Sequence, residues 1–466
     1  MALFVEGSGM RSPLNAKRRQ FLEHLGAVTP WAIGGSFAAA MGLSLPSIVN
    51  AKDYRAVVVI FAHGGWDGND MLVPTDAGYN DYYRARPNIA LKKDQLVPLS
   101  RGYVNGSVGM HPALEPLRAI YDRGHLAWVA NIGAMIKPLT AKQWRDNEVA
   151  VPPFLMSHKE QVDFVQGWDP SSVLNGWGGR AMELLPAGFQ GSLPVISFAR
   201  DNTLVTGVRS RMTLADSGGS RWWGRADLGD STNRWTQITE SMGQLQSKNR
   251  VENEFSRSLS ASFNDTVRLT LADQKAPPAK TMFPVSNRLG RDLSYISRLM
   301  PVFQSEGIQR QFFFTDWGGF DTHVTQRGDS DGRAMDIQLQ WLASALVAWD
   351  TELKLNGMHD KVITLVLTEF GRTLEPAGEG TDHAWGNHWF MMGGPVKGGQ
   401  VYGKLPQLVL GGPDDFDRRG RFVPDFSSDQ LAASLISWLG LPSGQLSTVL
   451  PNLANFASKT LPVINV

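Results

Sequence analysis

Ala56-Val57-Val58-Val59-Ile60-Phe61-Ala62 runs straight into His63-Gly64-Gly65-Trp66-Asp67-Gly68-Asn69-Asp70. A short apolar run rich in β-branched side chains and stopped by a glycine pair is a strand buried on both faces, the kind found in parallel sheets. Val362-Ile363-Thr364-Leu365-Val366-Leu367 repeats the pattern, and Gln311-Phe312-Phe313-Phe314-Thr315 and Leu126-Ala127-Trp128-Val129-Ala130 read as further strands. Helical spacing fills the intervals. It runs from Leu114 to Tyr121 behind Pro112, and through Trp235, Ile238, Met242, Leu245, Phe255, Leu259, Phe263, Val267 and Leu271. It returns at Leu289, Leu293, Ile296, Leu299 and Phe303, around Trp341 to Leu355, and from Ser428 to Leu439 before Gly440 and Pro442. Strands alternating with helices predict an α/β fold, a mostly parallel central sheet with helices on both faces. The largely helical residues 200–305 read as an insertion or cap, next to a loop carrying Arg221-Trp222-Trp223-Gly224-Arg225.

The 466 residues would make about three domains at roughly 150 residues each, or one large α/β unit with an insertion. Lys+Arg 45 against Asp+Glu 44 leaves a net charge of +1, without the basic excess of nucleic-acid binders, so no nucleic-acid partner is expected. Cys 0 removes disulfides, thiolate metal sites and cysteine nucleophiles. Any transition-metal site must then be built from Asp, Glu and His.

Near the N-terminus, Lys17-Arg18-Arg19-Gln20-Phe21-Leu22 precedes a weakly apolar stretch over residues 25–45, with small residues near Ala51. This is the layout of an export signal, and its Arg-Arg-x-Phe-Leu core resembles the twin-arginine type. Gly34, Gly35 and Gly42 dilute the stretch, so an ordinary signal peptide remains open and a membrane anchor fits less well. The expectation is residues 1–51 as a twin-arginine-type signal, the twin-arginine export machinery as partner, a periplasmic or otherwise exported protein, and no stable anchor after processing.

Acidic and imidazole side chains recur where the strands end, the place where open α/β sheets collect their functional groups. The segments are His63 to Asp70, Asp316-Trp317-Gly318-Gly319-Phe320-Asp321-Thr322-His323, Thr368-Glu369-Phe370-Gly371-Arg372, and a loop Gly380-Thr381-Asp382-His383-Ala384-Trp385-Gly386-Asn387-His388. Asp321 and His323, two apart in an extended segment, point to one side. A carboxylate and imidazole set without sulfur suits Zn²⁺, Mn²⁺ or Mg²⁺. Converging carboxylates repel unless a cation sits among them, and the neighbouring glycines allow close backbone approach.

These motifs, with Gly109-Met110-His111-Pro112-Ala113-Leu114, Ser157-His158 and Val396-Lys397-Gly398-Gly399-Gln400-Val401-Tyr402-Gly403, resemble the DUF1501 family of exported proteins over residues 57–439. That family is similar in fold to the alkaline phosphatase and sulfatase superfamily. The resemblance implies an alkaline-phosphatase-like three-layer sandwich over residues 52–466. It also implies one or two divalent ions, a phosphate or sulfate ester, small or polymeric, as anionic substrate, and metal-dependent ester hydrolysis. Residue by residue, it puts Asp67 or Asp70 with Glu369 at one metal, Asp321, His323 and His383 at the other, and Ser157 as nucleophile at a helix start. Two departures stand out. The Asp321–His323 spacing is two rather than four, and Glu369-Phe370 replaces an Asp-His pair. A single-metal site, or a non-catalytic binding or structural protein on the same fold, therefore stays in view.

Blander roles exist for the same residues. Asp67 and Asp70 could bond only their own turn. Glu369 could pair with Arg372, and Ser157 could cap its helix in a capping box with Glu160. His388 could be a supporting donor or a strand-start residue, and His111 and His158 could orient other groups. Lys397 lies between glycines without the pattern of a P-loop, and most of the 15 Trp would be core residues.

Overall fold

The structure is a computed structural model that describes residues 53–465 except 100, 168–174, 192, 200–201, 210–211, 218, 221–231, 325 and 329–333. The expected export segment lies outside the described residues.

Ten strands form the central sheet: β1 Arg55–Ala62, β2 Leu126–Gly133, β3 Val195–Ser197, β4 Thr213–Asp216, β5 Gly219–Ser220, β6 Arg310–Trp317, β7 Val362–Leu367, β8 Asn387–Met392, β9 Gln400–Tyr402 and β10 Phe426–Ser427. Their order is β9-β2-β8-β7-β1-β6-β3-β4-β5, with β10 also on β2. The sheet is mostly parallel, as the apolar runs imply; β8 and β5 run against their neighbours. Residues 380–388, expected as one loop, are instead the hairpin strand Gly380–His383, a turn and the start of β8. Their glycines and polar residues hide the extended backbone from a pattern based on apolar alternation.

The longer described helices include α1 His158–Val165, α2 Trp177–Leu184, α3 Arg234–Gly243, α4 Arg250–Lys275, α5 Arg288–Ser305, α6 Met335–Leu355 and α7 Ser428–Trp438. Register shows which face each covers. Val58 pairs with Thr364 and Phe313, so these three side chains share one face, and Phe312 points to the other. On the first face, Trp349 of α6 donates its indole N–H to Thr364 Oγ1 at 2.9 Å, and α5 packs on α6. On the second, Trp177 of α2 meets Phe312 edge to face at 5.4 Å, and α7 packs on α2. Three layers result. Val57, Val58, Phe312 and Phe313 are fully buried between them, each such side chain contributing about 1.5–3 kcal/mol.

Within residues 200–305, β4 and β5 extend the sheet edge, α5 belongs to a covering layer, and α3 and α4 are two further helices. Among the described residues, 232–263 fall in a different compact unit from 53–220 and 264–465. Among the described residues, no helix is long and apolar enough to cross a membrane.

Candidate functional site

β7, β1 and β6 are parallel neighbours, so the segments beyond their carboxyl ends emerge side by side. Gly64, just past β1, has φ +117°, and a Cβ there would lie 2.4 Å from the Asp321 backbone nitrogen. Only glycine lets these two strand ends approach so closely. The Gly64 N–H donates to Glu369 Oε1 at 2.8 Å, which ties the end of β1 to the end of β7. A hairpin, Arg372–Ala377 with Gly380–His383, folds back onto the loop after β6. A Cβ on Gly380 would sit 2.2 Å from the His323 carbonyl carbon, and the Thr381 N–H donates to the Thr322 carbonyl at 3.0 Å. These contacts carry His383 against His323. From the opposite side comes the start of α1. Phe154 turns the chain with φ +51°, its carbonyl accepts from the Ser157 N–H at 2.9 Å, and His158 opens the helix.

Four donor groups meet there. Asp321 Oδ1 lies 2.9 Å from His323 Nε2 and 3.3 Å from His383 Nε2, and the two Nε2 atoms are 2.9 Å apart. Asp321 Oδ2 is 3.5 Å from His158 Nε2. Ligand atoms around a tetrahedral zinc, each about 2.1 Å from the ion, are roughly 3.4 Å from one another, so this spacing fits a shared cation. Each imidazole is also turned the right way. His383 Nδ1 faces the Met156 carbonyl at 2.7 Å and His158 Nδ1 faces Glu369 Oε1 at 2.8 Å. These oxygens only accept, so both Nδ1 atoms carry hydrogen and Nε2 is the atom presented to the cluster. His158 Nε2 is buried without a hydrogen-bond partner.

Ligand atoms of His158, Asp321 and His383 all lie within 4.8 Å of one another, and so do those of His323, Asp382 and His383. The first group is the freer. Asp382 Oδ2 already accepts from Arg419 at 2.9 Å and Arg421 at 3.0 Å, while Oδ1 accepts from the His383 N–H at 2.8 Å.

Electrostatics follow from these partners. Burial raises the Asp321 carboxyl, but the Arg372 guanidinium and the imidazoles of His158 and His323 outweigh it and bring its pKa to about 2. Asp321 is therefore an anion at any ordinary pH. Burial disfavours charge on His158, yet Glu369 and Asp321 more than compensate and raise its pKa. His383 is lowered, chiefly by burial, with Arg372 and His158 adding repulsion. A cation at this point would compete with a proton for His158, a competition that burial and the neighbouring charges weaken at His383.

The cluster opens on a cleft of about 690 Å³ lined by His63, Gly64, His158, Lys159, Asp163, Thr203, Asp321 and Glu369 among others. That is room for a small ester with its leaving group.

The structure brings together Asp321, His323 and His383 of the expected set, and Glu369 supports them through His158 rather than pairing with Arg372. Arg372 is buried, spanning the Gly65 carbonyl at 2.7 Å, the Gly64 carbonyl and Asp321. Asp67 and Asp70 are not brought to the cluster. Both are fully buried; Asp67 Oδ1 accepts from the Asn69 N–H at 3.1 Å, and Arg86 Nη1 bridges Asp67 and Asp70. Asp70 also takes Tyr82 at 2.7 Å and Arg327, and Gln326 Nε2 reaches both carboxylates at 2.9 Å. Ser157 occupies the N-cap position of α1, but its hydroxyl donates to Glu160 and caps no backbone N–H. His388 is buried, with Nδ1 accepting from the Asn131 N–H at 2.9 Å. His111 caps a short 3₁₀ turn and meets Asp336 at 2.8 Å.

His158 and Arg372 carry more of the site than their sequence context suggests. The sequence signal for His158 is its place at a helix start.

The family described as "Protein of unknown function (DUF1501)" matches residues 54–411. No curated protein matches the sequence. Among solved structures, Ps i-CgsB is similar at a TM-score of 0.36 and 8% identity, covering 86% of this chain and 77% of that one. The lipoteichoic acid synthase LtaP from Listeria monocytogenes matches at a TM-score of 0.33 and 9% identity, with 87% and 78% covered. PsFucS1 sulfatase from Pseudoalteromonas sp. matches at 0.31 and 9%, with 93% and 73% covered.

Proposed function

The chain belongs to the DUF1501 family, and from the geometry of its histidine cleft we propose that it is an exported, single-metal hydrolase of phosphate or sulfate esters. The observation that carries this reading is His158. Its Nδ1 is held by a buried carboxylate, and its Nε2 is a buried donor atom without a hydrogen-bond partner, 3.5 Å from Asp321. Imidazoles held in this way are the usual form of metal-binding histidine.

His158, Asp321 and His383 are the proposed ligands, with His323 as a fourth. Glu369 and the Met156 carbonyl orient two of the rings, and Arg372 fixes Asp321 by one oxygen. A divalent cation in such a set supplies positive charge for an ester oxyanion and lowers the pKa of a water. One ion suffices because Asp67 and Asp70, the candidates for a second, are neutralised by Arg86 and Arg327. Water is the proposed nucleophile, since the Ser157 hydroxyl is engaged by Glu160.

Three-layer packing with functional groups at the carboxyl ends of β1, β6 and β7 supports an alkaline-phosphatase-like reading of the fold. Export by the twin-arginine route is supported by Arg18-Arg19-Gln20-Phe21-Leu22 and the weakly apolar stretch behind it.

Hydrolysis of 4-nitrophenyl phosphate and 4-nitrophenyl sulfate by protein carrying its metal is the test. Turnover that disappears with a chelator and returns with Zn²⁺ or Mn²⁺ supports the proposal. Metal-loaded protein that binds phosphate or sulfate but hydrolyses neither ester would identify a binding protein on this fold.

A further inference from the structure

On the cleft wall formed by the end of β1, His63 is a histidine that the metal cluster does not use. It lines the same cleft as His158 and Asp321 and is one residue from Gly64, whose N–H holds Glu369. Its Nε2 lies 3.6 Å from Asp316 Oδ2. Asp316, the penultimate residue of β6, is buried, and its other oxygen meets Arg288 of α5. The neighbouring register, Phe61 with Asp316 and Ala62 with Trp317, fixes where the carboxylate sits. Phe61 packs on the His63 ring with centroids 4.6 Å apart. The His63 side chain is 29% exposed, and its Nδ1 makes no hydrogen bond to a described residue. The ring thus has a fixed carboxylate near Nε2 and no described partner on Nδ1, and it forms part of the cleft lining.

We propose that His63 is the general acid of the proposed hydrolase, a reading on which this inference rests, and that Asp316 is its positioning residue. The acid works from Nδ1. As water oxygen bonds to phosphorus or sulfur, the bond from that atom to the leaving oxygen breaks. The leaving oxygen takes the proton from Nδ1, the attacking water gives up one proton to solvent, and the neutral ring is reprotonated from solvent. No oxidant or co-reactant is needed. Asp316 holds the ring orientation, the positioning part of a histidine–carboxylate pair. The pairing also narrows the substrate to esters whose leaving group needs a proton, the alkyl and sugar alcohols. A phenolate carrying a nitro group departs without one.

The test compares two monoesters of the acid that the wild type hydrolyses, one of 4-nitrophenol and one of a simple alkyl alcohol. His63→Ala and His63→Gln are expected to lose about 10²-fold or more in kcat/KM on the alkyl ester and less than about threefold on the nitrophenyl ester. Their metal content should stay at the wild-type level. Asp316→Asn is expected to show the same selective loss to a smaller degree. Equal losses on both esters, or metal lost with His63, overturn the assignment and leave the hydrolase reading standing. Wild-type protein that carries metal and hydrolyses neither ester overturns both.

Discussion

Two acidic clusters grow from loops at the ends of neighbouring strands and finish as opposites. Asp67 and Asp70 are sealed, with each carboxylate oxygen facing a donor from Asn69, Arg86, Gln326, Tyr82 or Arg327. Asp321 is 47% exposed, has one guanidinium, and is ringed by imidazole nitrogens that face a cleft. Both lie beside glycines at strand ends. What separates a structural carboxylate from a ligand here is the donor capacity left over after folding.

The largest effect should come from breaking the sealed cluster. Arg86→Met leaves two buried carboxylates short of their common partner, and a loss of about 3–5 kcal/mol in urea unfolding is expected. The protein that remains folded should keep its metal. Little loss of stability would mean that Asp67 and Asp70 are not the structural pair described.

A second contrast is between buried groups that titrate and cleft groups that bind. Burial lowers His388 to about 4, below its ordinary 6.5. Its neutral ring adds stability above pH 6.5 that is lost as pH falls toward 4, about 3 kcal/mol at 1.36 per unit. Asp429, raised to about 7 by burial against the pull of Arg180, works the other way and weakens the fold as pH rises from 3.8 to 7. The two offset each other in the wild type. The readout is therefore the difference between wild type and His388→Gln, measured at pH 7.5 and 4.5. An equal difference at both pH values would contradict the sealed, neutral ring.

Smaller changes probe the open cluster. Glu369→Gln leaves His158 without its anionic support, and metal affinity should fall about 10–100-fold with the fold intact. An unchanged affinity would remove Glu369 from the site. Ser157→Ala should alter turnover by less than about threefold and stability by less than about 1 kcal/mol. Loss of turnover with metal retained would restore Ser157 as the nucleophile.

The sheet was legible because its strands are buried on both faces, so Val57 to Ala62 and Val362 to Leu367 read without interruption. The hairpin strand Gly380–His383 was not, because glycine and aspartate have low strand propensity. Asp321, His323 and His383 could be read as candidates from their types and spacing. The partition between Asp321 and Asp67 could not. It depends on Arg86, Arg327 and Gln326, which are distant in sequence from Asp67 and reach it only through the fold. His158 was visible as a residue, but its unpartnered Nε2 is a property of three dimensions.

Metal content of purified, folded protein decides whether the histidine cleft is a metal site. About one divalent ion per chain is expected in the wild type, lost in Asp321→Ala, His158→Ala and His383→Ala, and retained in Asp70→Asn. Folded wild-type protein that takes up no Zn²⁺, Mn²⁺ or Mg²⁺, or an ion lost with Asp70 and kept without His158 and His383, would contradict it.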